Sequence, residues 1–355
     1  MERADQRKQV TNRSLLWMAA MLLLLIALLY IPLPYYVIRP GSAIELQPLI
    51  QVEGGTKEEK GALMLTTVRM GEANPAWYVY AKLSPDVDIV EEEAVISHGE
   101  TNEDFERREA TVMTNSQQVA EAIAFERAGY KVKMEKQGVL VMGTIEDMPA
   151  RGVLQIGDVI TAVNGKRTRT TTDLFDQLKG KKEGEAVALT YLRESKEQKA
   201  VLPLKPLVDT EGKPTGRVGF GIRPDNKLLI EVPKKVTIGT KNIGGPSAGL
   251  MFTLEIYEQL KKNIDMTRGY RIAGTGTINP DGSVGRIGGI QHKIIAADIA
   301  GAEIFFAPTD SDGEVSNYDE AVATAKRIHT AMRVVPVKTV DDAISYLKQL
   351  KPKQT

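Results

Sequence analysis

The longest uncharged stretch of the chain is an apolar run that extends from Leu15 to Ile31. At about 1.5 Å of rise per residue, a helix of this length spans most of a hydrocarbon core that is roughly 30 Å thick. Basic residues cluster before the run, whereas only Arg39 follows it closely, and this asymmetry favours a cytoplasmic N-terminus. The pattern predicts a cytoplasmic segment at 1–14 and a transmembrane anchor at 15–34.

A cleaved signal peptide is the alternative for the same run, with Gly41-Ser42-Ala43 as a weak cleavage site. The run is longer than the usual hydrophobic segment of a signal peptide, so we favour the uncleaved anchor. We therefore expect a single-pass protein at the cell membrane, in contact with the lipid bilayer, with the rest of the chain outside the cytoplasm. One anchor helix gives little support to a transport or channel component.

Residues 35–114 show a mixed pattern without recognisable chemistry. The apolar stretch at 62–68 predicts a strand, whereas the charged cluster at 103–109 is typical of a solvated helical face. Asn115 or Ser116 is suited to cap a further helix that runs up to Gly129. We expect 35–114 to form an extracytoplasmic N-terminal region.

The remainder of the chain divides into a β-rich part and an α/β part. In residues 115–222, predicted strands at 139–145, 157–163 and 186–192 accompany an Asn-Gly turn and one short helix. In residues 223–355, predicted strands alternate with predicted helices, which indicates an α/β domain. The chain is therefore expected to be multidomain.

Composition narrows the chemistry. Lys plus Arg and Asp plus Glu both number 46, so no general electrostatic attraction to nucleic acid is expected. The chain has no cysteine, which excludes disulfides, thiolate catalysis and thiolate metal sites. No Gly-x-x-x-x-Gly-Lys-[Ser/Thr] motif occurs, so no nucleotide site is predicted, and no cofactor or metal is expected.

Ser247 is the candidate nucleophile. It lies in Gly244-Gly245-Pro246-Ser247-Ala248-Gly249, where an extended stretch gives way to an amphipathic helix. Backbone N–H groups at a helix start can stabilise an oxyanion, and small neighbours let a substrate backbone approach. By itself such a stretch is more often a tight turn and helix cap. To act as a nucleophile, the serine also needs a general base within hydrogen-bond distance.

Lys293 is the candidate base. It lies on a predicted helix, where Ile290, Ile294 and Ala297 form a face that must pack. A low-dielectric environment would lower the pKa of the amine and let it accept a proton near neutrality. An ordinary surface lysine is the alternative.

Histidine is the usual partner of a catalytic serine, but it is scarce here. None of the three histidines, His98, His292 and His329, lies in a motif of its own. His292 would point about 100° away from Lys293 around their helix, so the two side chains cannot both face Ser247. A Ser-His mechanism is the weaker alternative.

The Gly-Pro-Ser-Ala-Gly stretch is followed 46 residues later by the lysine of Gly-Gly-x-x-x-Lys-x-x-Ala-Ala. These paired motifs resemble the proteolytic domain of Lon-type serine peptidases. The resemblance implies that Ser247 attacks the peptide carbonyl, that Lys293 is general base and then general acid, and that Thr275 helps to hold the lysine. Because the P-loop is missing, we expect this chemistry without Lon's ATP-driven motor.

Residues 115–222 contain Gly-Asp-x-Ile-x-x-Val-Asn-Gly followed by a helix, and in this order they resemble a PDZ domain. The resemblance implies that an extended peptide adds to the sheet while a glycine-rich loop holds its terminal carboxylate. Gly129, Tyr130, Lys131 and Val132 lie at the conventional position of that loop. Gly219-Phe220-Gly221-Ile222 matches the loop's sequence better, but it lies after the module and fits only a permuted arrangement or a strand of the next domain. A spacer or substrate gate is the alternative role.

An anchor, a PDZ-like domain and a Lon-like domain in this order resemble the bacterial membrane-anchored PDZ-containing Lon-like proteases. The predicted fold class is multidomain: a transmembrane helix, a β-rich PDZ-like domain at 115–222 and an α/β (α+β) proteolytic domain at 223–355. The predicted function is ATP-independent serine endopeptidase, acting through an acyl-enzyme on unstructured or small secreted and membrane peptides. The alternative is an anchored peptide-binding scaffold with an inactive Lon-like domain. Peptide substrates are the expected partners, and an oligomer is left open.

Overall fold

The structure is a computed structural model that describes residues 2–57, 60–97, 99–208, 212–240, 243–261, 264–310, 313 and 315–354. The described helices are α1 (Glu2–Tyr30), α2 (Pro75–Leu83), α3 (Glu92–Val95), α4 (Asn102–Arg127), α5 (Thr171–Leu178), α6 (Gly249–Leu260), α7 (Ile290–Ile299), α8 (Asn317–Arg327) and α9 (Val340–Gln349). The described strands are β1 (Tyr35–Glu45), β2 (Ile50–Val52), β3 (Ala62–Glu72), β4 (Asp88–Glu91), β5 (Lys133–Thr144), β6 (Val159–Val163), β7 (Lys166–Arg167), β8 (Ala186–Arg193), β9 (Lys196–Pro203), β10 (Lys205–Val208), β11 (Pro214–Gly219), β12 (Ile222–Glu231), β13 (Val236–Ile238), β14 (Arg271–Gly274), β15 (Thr277–Ile278), β16 (Val284–Gly285), β17 (Ile304–Pro308) and β18 (Arg333–Val337).

Helix α1 does not support the predicted transmembrane anchor. Among the residues that the structure describes, no helix has both the length and the apolar character needed to cross a membrane. The helix ends at Tyr30. Its uncharged part, from Leu15 to Tyr30, is about 24 Å long at about 1.5 Å per residue, which is short of a hydrocarbon core of roughly 30 Å. The predicted fold class is therefore wrong in its transmembrane helix.

A six-stranded sheet in the order β18-β17-β14-β3-β1-β4 forms the centre of the larger unit. Strands β18, β17, β14 and β3 run parallel, whereas β1 is antiparallel to both of its neighbours. Alternate residues of β3 face opposite sides, as a strand requires. Leu63 and Leu65 pack in one core with α6, and Ala62 and Met64 pack in another with α7. The unit is thus a three-layer α/β structure.

This sheet joins segments that lie far apart in the chain. Strand β3 pairs with β14, with Leu63 opposite Ile272, and β1 and β4 extend the same sheet. Residues 35–114, predicted as a region of their own, thus share one sheet with residues of the predicted segment 223–355. Local patterns do not record pairing between strands this distant, so the shared sheet was not foreseen.

A second sheet in the order β12-β5-β6-β8-β9, with β7 beside β6, forms the smaller unit. Its core includes Val141, Ile160, Leu174 and Phe220, so α5 packs against this sheet. Strand β12 pairs antiparallel with β5 along its length. Strand β12, which begins at Ile222, therefore belongs to the β-rich unit, as the permuted arrangement requires.

Helix α4 lies between the two units. It begins at Asn102, where the Thr101 side chain accepts a hydrogen bond from Asp104 N, and it is longer than the predicted helix. Ser116 therefore lies inside the helix and does not cap its start. The apolar face of α4, including Phe125, packs in the same core as α6. This packing brings α4 beside the loop that precedes α6.

Candidate active site

Ser247 lies in the loop that leads into α6, and the small residues around it are required by close packing. A Cβ atom at Gly249 would lie 2.6 Å from Ile278 Cγ2 and 2.8 Å from Ser116 Oγ, so a larger residue does not fit there. Gly245 has φ of +85°, a left-handed conformation that favours glycine. The Gly249 N–H donates to the Pro246 carbonyl at 3.2 Å and closes a tight turn. The nucleophile loop, residues 244–249, is thus held in one conformation.

The residues after β14 hold the serine backbone. The Ser247 carbonyl accepts hydrogen bonds from Gly276 N at 2.8 Å and from Thr275 Oγ1 at 3.0 Å. In return, the Leu250 N–H donates to the Gly276 carbonyl at 3.1 Å. Thr275 is fully buried. These bonds connect the start of α6 to the end of the central strand.

Lys293 reaches Ser247 from the opposite face of the sheet. Helices α6 and α7 pack on different faces, but β14 ends at Gly274 while β3 continues to Glu72. Side chains from both layers can therefore meet beyond the end of β14. Lys293 Nζ lies 2.9 Å from Ser247 Oγ and donates to the Thr66 carbonyl, also at 2.9 Å. The carboxyl end of parallel strands is the usual position of a site in α/β folds.

Burial prepares Lys293 to act as a base. Its side chain is only 3% exposed, and among the described residues no carboxylate forms an ion pair with it. Because burial disfavours the charged amine, the pKa of Lys293 falls to about 8. A neutral amine, which can accept the serine proton, is therefore well populated just above neutral pH.

A cleft of about 300 Å³ opens beside the pair. Its walls include the apolar side chains of Leu65, Val68, Met113 and Ile243. Within the described part of the chain, the amide N–H groups of Ser247 and its successor Ala248 make no hydrogen bond. Free N–H groups beside a nucleophile are suited to bind the oxyanion of a tetrahedral intermediate.

The contact between Thr275 and Lys293 that the resemblance implies is not among the hydrogen bonds of either side chain in the described structure. The Thr275 hydroxyl bonds to the Ser247 carbonyl, whereas the lysine amine bonds to the carbonyl of Thr66. Sequence reasoning missed Thr66, which lies in the predicted strand at 62–68. A backbone carbonyl has no residue-type signature, so no motif could have identified it.

The histidines lie apart from this pair. His292 is fully buried, and its Nε2 lies 3.0 Å from Asp88 Oδ2 and not against Ser247. His329 follows α8 with a φ of 55°, and His98 lies outside the described residues. In the described ranges, no group of three or more His, Asp or Glu side chains could hold a metal ion.

A separate groove of about 570 Å³ lies between α5 and the start of β12. Leu174 and Phe175 of α5 form one wall, and Gly219, Phe220 and Gly221 belong to the other.

The predicted peptide contacts Gly129, Tyr130, Lys131 and Val132 are not among the residues that line this groove. They follow α4, where the Tyr130 ring packs 5.4 Å from the Phe125 ring. The structure thus brings the Gly219–Ile222 loop to the groove and places the other candidate loop elsewhere.

Comparison with known proteins finds two domain families that match this chain. Residues 220–349 match the family model of the Lon protease (S16) C-terminal proteolytic domain. This part of the chain is similar to the proteolytic domain of Lon-type serine endopeptidases. Residues 127–204 match the family model of the PDZ domain, so both domain resemblances are confirmed, whereas membrane anchoring is not shown.

Similar proteins share only parts of this chain. The Lon protease of Metamycoplasma arthritidis (strain 158L3-1) is 32% identical over 139 residues, which cover 38% of this chain and 15% of that protein. A probable periplasmic serine endoprotease DegP-like of Pseudomonas putida (strain GB-1) is 35% identical over 97 residues, 27% of this chain and 20% of that protein. The crystal structure of the PDZ domain of an SdrC-like protein from Listeria monocytogenes is 33% identical and covers 25% of this chain and 87% of that chain, with a TM-score of 0.22. The chain thus matches a fifth or less of the length of these two curated relatives.

Proposed function

We propose that the chain is a serine endopeptidase that hydrolyses peptide bonds through Ser247 and Lys293 without ATP. The observation that carries the proposal is the 2.9 Å contact between Lys293 Nζ and Ser247 Oγ. Burial supports it, because it leaves the lysine with a pKa of about 8. The sequence supports independence from ATP, because it contains no P-loop motif.

In the proposed reaction, the neutral amine of Lys293 takes the hydroxyl proton as Ser247 Oγ attacks the peptide carbonyl. The resulting oxyanion accepts hydrogen bonds from the N–H groups of Ser247 and Ala248. The ammonium then protonates the leaving amine, and the peptide bond breaks to leave an acyl-enzyme. Water hydrolyses this ester with Lys293 again as base. Throughout, the Thr66 carbonyl keeps the amine aimed at the serine.

The cleft suggests an extended substrate. Strand β3 pairs with β14 only from Ala62 to Leu65, so its edge from Thr66 to Arg69 is not paired with β14 where it lines the cleft. A peptide in extended conformation can add to such an edge through backbone hydrogen bonds. The apolar walls of the cleft suit an apolar side chain beside the cleaved bond. We therefore propose unstructured segments and small peptides as substrates.

We further propose that the PDZ groove binds peptides. Its apolar walls, Leu174 and Phe175, lie opposite Gly219–Gly221, whose backbone can hold a terminal carboxylate. Action outside the cytoplasm stays a prediction from the sequence.

Incubation of the protein with unstructured peptides tests the proposal, with Ser247→Ala, Lys293→Ala and, as a matched control, the exposed Lys326→Ala. We expect cleavage by the wild type and by the control, unchanged by ATP, and none by the two site variants. The neutral amine is the active form, so kcat/KM should rise about tenfold per pH unit up to the lysine pKa of about 8 and then level off. Intact peptides with the wild type, or cleavage by either site variant, would contradict the proposal and leave the peptide-binding scaffold as the better interpretation.

A further inference from the structure

One turn of α4 makes hydrogen bonds to the nucleophile loop. Ser116, which is 6% exposed, donates its hydroxyl to the Pro246 carbonyl at 3.0 Å. Gln117 Nε2 donates to Thr240 Oγ1 at 2.7 Å, on the segment that leads to the loop. About two turns earlier in α4, the Glu109 carbonyl accepts a hydrogen bond from the Gly245 N–H at 3.2 Å. The position of Ser247 therefore depends on α4.

The same turn of α4 makes hydrogen bonds to the PDZ sheet. Lys227 of β12 donates from Nζ to Asn115 Oδ1 at 2.6 Å and to Gln118 Oε1 at 2.9 Å. Burial lowers the pKa of Lys227, and both of these partners are neutral amides. The residues that contact β12 thus flank Ser116 and Gln117, which contact the catalytic unit.

Strand β12 also contacts the helix of the groove. Asn226, the neighbour of Lys227, accepts a hydrogen bond from the Thr171 N–H at the first residue of α5, at 2.9 Å. Consecutive side chains of β12 therefore contact α5 on one side and α4 on the other. The pairing of β12 with β5 shifts register after Lys227, and such irregularities let a strand bend locally. A peptide between α5 and β12 would press on the strand that carries this lysine.

We propose that Ser116 is a positioning residue for Ser247, and that Lys227 links it through α4 to the PDZ groove, so that an extended peptide bound in the groove changes kcat. The inference rests on the proposed function, because the measured step is peptide cleavage at Ser247. It assigns the PDZ domain a regulatory action on the catalytic site in addition to substrate recruitment.

Kinetics of the full chain on a short peptide with an amidated C-terminus provide the first test. Lys227→Met keeps the half-buried stem and removes the donors, Lys227→Arg restores them, and the exposed Lys199→Met is the matched control. We expect Lys227→Met and Ser116→Ala each to lower kcat by about 2- to 30-fold with KM unchanged. The double variant should lose little more than either single variant, since both act on one connection. A kcat for Lys227→Met equal to that of Lys199→Met, or fully multiplicative losses in the double variant, would refute the link.

Hydrogen exchange gives a second test that needs no turnover, and it keeps a failure of this inference distinct from a failure of the proposed function. In the Ser247→Ala background, the probe is a short peptide that ends in valine with a free carboxylate. We expect it to slow exchange at 219–227 and to change exchange at 244–250, and Lys227→Met should abolish only the second effect. An unchanged 244–250 segment would overturn the inference, whether or not the wild type cleaves peptides.

Discussion

Replacement of Lys293 by methionine separates catalysis from stability. The variant keeps a long, buried, unbranched side chain but loses the amine that contacts Ser247. We expect it to be inactive and, at neutral pH, at least as stable as the wild type. This combination follows from the cost of keeping a charged amine in a site that is only 3% exposed.

The magnitude follows from the pKa. The pKa of Lys293 falls from 10.5 to about 8 on folding. At roughly 1.4 kcal/mol per pH unit, this difference corresponds to about 3 kcal/mol of destabilisation when the lysine is protonated. The hydrogen bonds to Thr66 and Ser247 offset it by about 1 kcal/mol each. The methionine variant should therefore be more stable by about 1 kcal/mol at pH 7.

The difference in stability between the wild type and Lys293→Met changes sign with pH. Between the folded pKa of about 8 and the unfolded value of 10.5, the unfolded chain binds the proton that the folded chain has released. The wild type therefore gains stability relative to the variant as pH rises through this window. Below pH 8 the buried ammonium destabilises the wild type by its full amount, and above pH 10.5 this destabilisation is absent. The difference in free energy of unfolding should thus shift by about 3 kcal/mol in favour of the wild type.

Urea unfolding of both proteins at pH 7 and pH 10, followed by the transition of the proteolytic domain, measures this difference. Other titrating groups are shared, so they cancel in the comparison. The exposed Lys326→Met is the control and should show no such pH dependence. A difference between Lys293→Met and the wild type that is the same at both pH values would refute the idea of a buried, largely neutral amine.

Three further predictions concern the nucleophile loop and the groove. Thr275→Val removes the hydroxyl that holds the Ser247 carbonyl, so we expect urea unfolding to show about 1 kcal/mol of lost stability and kinetics to show a lower kcat. Thr275→Ser should restore both, and an unchanged kcat in Thr275→Val would contradict the role. Gly249→Ala places a Cβ 2.6 Å from Ile278 Cγ2 and should lower the free energy of unfolding by about 1–3 kcal/mol, with loss of cleavage. The control Gly71→Ala has open space around the new atom and should be nearly neutral. Equal unfolding midpoints for the two variants would contradict this packing. Phe175→Ala in the groove should weaken binding of a peptide with a free C-terminus by fluorescence anisotropy, whereas the exposed Val201→Ala should not, and equal affinities would exclude this groove.

Many local elements and the candidate pair of Ser247 and Lys293 could be predicted from residue patterns alone. The sequence predicted an amphipathic helix directly after the Ser247 stretch, and α6 spans Gly249–Leu260. The small residues around Ser247 could be recognised because close packing and a left-handed backbone both require glycine or another small residue. The packing face of α7 was likewise visible in its periodicity, and with it the burial of Lys293.

The contacts of these residues depend on how distant parts of the chain pack together. The contact of Lys293 with the Thr66 carbonyl, the placement of Gly219–Ile222 beside α5, and the two-sided contacts of Ser116 and Lys227 all join segments that are distant in the chain. The apolar run was interpreted as an anchor from its lack of charge, but no helix in the described part of the chain combines the length and apolar character that a membrane span needs. Residue type records what a position needs locally, whereas strand order, a backbone acceptor and the neighbour across an interface are set by how the whole chain packs.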